Sequence, residues 1–152
     1  MSAQESYTVR RLDQIQRAFG GAVARVRAEL GLSAFGVQIV DLPPDSGDLA
    51  PEHDHLHDGQ EELYLLLSGS AEVVLPDAVI ALDPETFIRI GPAVRRRVRS
   101  GADGARLLMV GGTPGRAYVA PASFELDGPD TFQSPSASSA MKPGGPPPQL
   151  AD

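Results

Sequence analysis

The chain has 152 residues, no cysteine and a formal net charge of −7, which suits one domain with a single hydrophobic core and a tail. Disulfides, thiolate metal sites and cysteine nucleophiles are excluded, and the acidic balance argues for no nucleic acid as partner. No apolar run approaches the length of a membrane span, so no membrane is expected, and the N-terminal residues lack a basic-then-apolar secretory pattern, which makes the expected location cytoplasmic.

Leu12, Ile15, Phe19, Val23, Val26 and Leu30 recur at intervals of three and four, one stripe of an amphipathic helix. Asp13 can cap it, Gly31 supplies a stop, and Gly20-Gly21 divides it into two pieces. Residues 1–34 thus read as a helical lead-in that packs on the outside of the main body.

From residue 35 to 126 the pattern changes to short strands separated by Gly/Pro turns. Strands are expected at 35–40, 63–67, 71–75, 79–82, 86–90, 94–98, 106–110 and 117–119, with turns at Ser68-Gly69-Ser70 and across 100–104. Many short strands with no intervening helix indicate an all-β antiparallel sandwich or barrel. From residue 127 to 152 Gly, Pro, Ser and Ala dominate, a composition that buries too little apolar surface to offset its ordering entropy. A disordered C-terminal tail is expected there.

All three histidines, His53, His55 and His57, lie at alternate positions just before Glu61-Glu62 and the apolar run that ends at Gly69. In extended chain, alternate residues share a face. Two neutral imidazoles converging with one carboxylate make a divalent-metal site with open coordination positions. Asp54, Asp58 and Glu61 read as solvating the loop. In the strand 94–98, Val94 and Val98 mark the inner face and carry Arg96 inward between the outward Arg95 and Arg97. An inward guanidinium must be paired. Its partner is either a structural carboxylate such as Glu62 or the carboxylate or phosphate of a substrate. Tyr64 shares the parity of Glu62 and is either a core aromatic or a general acid and hydrogen-bond donor to substrate. Gln60 shares it too, and could orient a ligand or a metal-bound water.

The order of these features resembles the cupin superfamily, in particular short single-domain bacterial cupins. The first cupin motif has histidine, one residue, histidine, three or four residues, glutamate, six residues, glycine, and His55, His57, Glu62 and Gly69 satisfy it. A shifted register using His53 and His55 with a longer loop is the alternative. The second motif is similar to residues 84–98, where its glycines are Pro84 and Ala93 and its ligand position is Arg96. The resemblance implies a double-stranded β-helix (jelly-roll) barrel, often dimeric, and one divalent metal such as zinc, nickel, manganese or iron. It implies a small organic ligand, with chemistry ranging over oxygenation, isomerisation, decarboxylation and cyclisation. Two other readings stand beside an enzyme. One is a non-catalytic metabolite-binding module with a degenerate metal site. The other is an assembly protein whose barrel serves for a homodimer.

Overall fold

The structure, a computed structural model, describes residues 6–47 and 51–130. Seven strands form one antiparallel sheet: β1 (Arg17–Ala18), β2 (Val23–Ala24), β3 (Gly36–Leu42), β4 (Glu61–Val74), β5 (Val79–Leu82), β6 (Phe87–Ile90) and β7 (Arg97–Gly112). Their order is β1-β2-β3-β7-β4-β5, with β6 also on β4. The long strands β4 and β7 pair from Glu61↔Gly112 to Val74↔Arg97. They serve two halves of the sheet, since β6 joins Glu62 to Leu65 and β5 joins Ala71 to Val74. The inner faces of both halves meet in one core that includes Val40, Leu66, Val73, Leu82, Ile90, Val98, Leu107 and Met109. The all-β antiparallel architecture agrees with the sequence pattern.

Two expected turns are bends. Residues 63–67 and 71–74 lie on one strand, β4, and 106–110 lies on β7 with 97–98. The ladder between them is interrupted by register shifts between Leu66 and Ser68 and between Gly69 and Ala71. Together these irregularities bend the strand and change which parity faces inward. Glu62, Tyr64 and Leu66 are buried before the bend, Ala71 and Val73 after it. Gly69 takes φ +81°, and a Cβ built there would lie 2.1 Å from the carbonyl oxygen of Gly104. Gly69→Ala is therefore expected to cost roughly 2–4 kcal/mol through left-handed strain and backbone overlap. Urea denaturation checks this, and an unchanged midpoint would refute the close crossing of β4 and β7.

The helical lead-in is replaced by a hairpin. Among the described residues of this segment, helix is confined to a 3-10 turn at Leu12–Gln14 and to α1 (Val26–Leu30), while β1 and β2 between them add to the edge of β3 through Val23↔Val40. Phe19, Gly20 and Gly21 take φ of 55°, 66° and 94°, which no right-handed helix accommodates. Two adjacent glycines also cost about 1 kcal/mol each in a helix, so the turn wins. Phe19 and Val23 are buried in either arrangement, and so the apolar spacing could not separate the two. Gly31, φ 69°, ends α1 as expected, with its N–H on Ala28 and that of Leu32 on Arg27.

The expected strand at 117–119 is irregular chain leading to a 3-10 turn at Ala122–Phe124. Phe124 packs against Phe19 with ring centroids 5.5 Å apart. Arg25, 4% exposed, donates to the carbonyls of Ser123 and Gly128, both at 2.9 Å, and to the Gln16 side chain. Gln16 in turn exchanges two 2.9 Å hydrogen bonds with Asp127. Residues 127–130 thus dock on the N-terminal hairpin, against the expected start of the tail at 127. The rest of that tail, 131–152, lies outside the described residues.

Candidate metal centre

The segment that carries the histidines runs antiparallel to the residues just before β7. His53 and Arg96 exchange backbone hydrogen bonds of 3.0 and 2.9 Å, and the His55 N–H continues to the Pro92 carbonyl at 2.9 Å. Residues opposed in this way project to the same face, so His53 and Arg96 enter the barrel together, and alternation brings His55 in as well. The chain then stops being extended. The N–H groups of Asp58 and Gly59 both turn back to the His55 carbonyl, and Gly59 takes φ +72°. His57 falls in this turn, and its side chain is 67% exposed. The inward pair is His53 and His55, the shifted register; the expected pairing of His55 and His57 with Glu62 is not what the turn produces.

His53, His55 and Glu62 offer three ligand atoms that lie within 4.8 Å of one another. His55 Nε2 is 3.4 Å from Glu62 Oε1, and His53 Nε2 is 4.0 Å from Glu62 Oε2. Donors around a first-row ion sit about 3.0–3.4 Å apart, so small side-chain adjustments suffice for such an ion. Both rings are oriented from behind. His53 Nδ1 donates to the Pro51 carbonyl at 3.0 Å, leaving Nε2 as a lone pair. His55 Nδ1 donates to Asp58 Oδ1 at 3.1 Å, a carboxylate–histidine arrangement that favours metal ligation by the other nitrogen. His53 Nε2 and Glu62 Oε1 are buried and accept no hydrogen bond, at an expense that a bound cation would remove. The donor set fits a divalent ion.

Asp58 is the residue that sequence reasoning misassigned to solvation. It also accepts 3.1 and 2.8 Å bonds from the Gln60 backbone and side chain. Burial raises its carboxyl pKa, but those Gln60 bonds and the neighbouring histidines outweigh it and hold the group below the usual range. The signal was present as an aspartate three residues after His55 and directly before glycine. Gln60 itself is buried with its amide directed to Asp58.

Arg96 is fully buried and its fork closes on Glu62 Oε2, through Nε at 2.9 Å and through the Nη2 group, while Nη1 donates to the Val94 carbonyl at 2.8 Å. Tyr64 donates to the same oxygen at 2.6 Å. One carboxylate oxygen is thus saturated and the other faces His55. Burial favours the neutral form of Glu62, but the neighbouring His55, the Arg96 charge and the Tyr64 bond prevail and hold its carboxyl below the usual range. Burial drives His53 the other way, below the usual imidazole value, so it is neutral and able to ligate. Tyr64, buried beside a carboxylate, stays protonated.

Comparison with solved structures yields a cupin protein from Bacteroides fragilis at TM-score 0.60 and 22% identity, over 79% of this chain and 95% of that one. A sugar phosphate isomerase of the cupin superfamily from Silicibacter pomeroyi follows at TM-score 0.54 and 21% identity, over 68% and 75%. The fold is the cupin fold. No protein-family model matches the chain, and neither does any curated protein sequence. Within this cupin barrel, the position where the second motif places its ligand is held by a guanidinium already bound to Glu62.

Proposed function

We propose that this cupin-fold protein is a small-molecule-binding protein whose barrel holds one divalent metal, with His53, His55 and Glu62 as ligands. The observation that carries the reading is the convergence of two imidazole nitrogens, each ring fixed by a partner on its other nitrogen, on the two oxygens of the Glu62 carboxylate. Imidazole and carboxylate together suit zinc, nickel, manganese or iron better than magnesium. Such an ion supplies a Lewis acid for a carbonyl or enolate, or activates water or dioxygen. The chain's own residues have separate tasks. Asp58 and the Pro51 carbonyl set the two rings, Arg96 keeps Glu62 ionised and anchored by Oε2, and Tyr64 fixes the same oxygen rather than acting as a free acid. A homodimer remains part of the proposal, with Phe87, 68% exposed on the outer face of β6, available for contact.

The second reading, a metabolite-binding module without metal, draws on Arg96, which already neutralises Glu62. Metal analysis of untagged protein separates the two. Wild type and His57→Ala are expected to hold about one equivalent, and His53→Ala and Glu62→Ala to lose it. Metal lost from His57→Ala but kept by His53→Ala would reverse the ligand assignment. None in any variant after reconstitution would leave the metal-free module.

A further inference from the structure

We infer that His57 and Asp58, with the outer nitrogen of His55, form a second, solvent-facing metal site through which an ion reaches the buried one. This rests on reading His53, His55 and Glu62 as the resident centre. The buried triad presents little surface: the His53, His55 and Glu62 side chains are 9%, 1% and 0% exposed. Directly outside it, His55, His57 and Asp58 bring a second set of three ligand atoms within 4.8 Å of one another.

Asp58 Oδ1 is 3.1 Å from His55 Nδ1 and its Oδ2 is 3.3 Å from His57 Nε2, again the spacing of about 3.0–3.4 Å that a first-row ion requires. The His55 and His57 rings stack with centroids 5.8 Å apart and planes 27° apart. One imidazole is common to both triads, facing outward by Nδ1 and inward by Nε2. A neutral imidazole has a single lone pair, so the sites are alternatives and the chain holds one ion. Passing the ion from Nδ1 to Nε2 exchanges the tautomer: one proton leaves Nε2 and one returns to Nδ1, with no net change. The Gln60 amide on Asp58 Oδ2, at 2.8 Å, must share that oxygen while the outer site is filled. The motif histidine that the turn expels from the barrel thereby acquires a use.

Cobalt(II) absorption, followed after mixing with full-length metal-free protein, tests this. His57→Ala is expected to slow uptake about tenfold, the loss of a capture site at the surface, with the same final occupancy. His53→Ala is expected to keep weak, rapidly exchanging cobalt that the His53→Ala/His57→Ala double variant lacks. Equal uptake rates for wild type and His57→Ala, with binding still dependent on His53, would overturn the outer site alone. Cobalt binding indifferent to His53→Ala would instead sink the resident centre, and the transfer with it.

Discussion

Arg96→Met is expected to lower the free energy of unfolding by roughly 3–5 kcal/mol, the usual penalty for removing one partner of a buried ion pair. Methionine replaces the aliphatic stem but not the fork. Glu62, whose side chain is 0% exposed, would keep the Tyr64 hydroxyl on Oε2 and lose both guanidinium contacts. It must then remain charged without a counter-ion or take up a proton, and both are costly in the interior. Arg96→Met combined with Glu62→Gln should recover much of the loss, because no charge is then stranded. Urea denaturation at neutral pH measures both. A single variant within 1 kcal/mol of wild type would mean that the pair is not the structural unit described, and that Arg96 is open to an anionic ligand.

Arg96→His should raise affinity for zinc by about 100-fold or more. A single positive charge about 5 Å from a divalent ion opposes it by roughly 7 kcal/mol at an effective dielectric near 20. Only part of this is recovered, since Arg96 also holds Glu62 in position. Histidine removes the repulsion and presents a third imidazole from the chain position facing His53. The metal-free variant should be destabilised much as Arg96→Met is, and zinc at about 100 times its Kd should restore about 2.7 kcal/mol. Chelator competition and thermal unfolding with and without zinc report the two halves of the prediction. Affinity that stays flat or falls would show that residue 96 does not face the ligands.

The strands and their facing were legible wherever apolar alternation was unbroken. Val79–Leu82 lies where the pattern put it, and Glu62, Tyr64, Arg96 and Val98 all face inward as parity requires. Val94 does not: it is 37% exposed, because β7 begins only at Arg97. His57 failed for a similar reason, since alternation was carried one step beyond the last extended residue, and the Asp58-Gly59 pair that ends the extension was visible in the sequence. The N-terminal hairpin was obscured because Gly20-Gly21 was read as a break within a helix rather than as a reversal between strands. Arg25 and its carbonyl partners lie about 100 positions apart in the chain, beyond the reach of any local pattern. The pairing of Arg96 with Glu62 was foreseen only as one of two options, and the fold chose by placing β4 within reach of the fork.

The bend at Gly69 gives β4 something like a reading frame. Upstream of it the even-numbered residues fill the barrel, downstream the odd-numbered ones do. Substitutions along the strand act one side chain at a time, whereas a one-residue deletion between Leu66 and Ala71 is a frameshift in three dimensions. It would oblige one half of the strand to present its solvent face to the core while the other half kept its place. Either the Glu62 and Tyr64 half turns away from Arg96, or the Ala71 and Val73 half leaves the core. Change in length is therefore far less permissible at this bend than change in composition, and lineages that drift freely in side chains here should still be constrained in spacing.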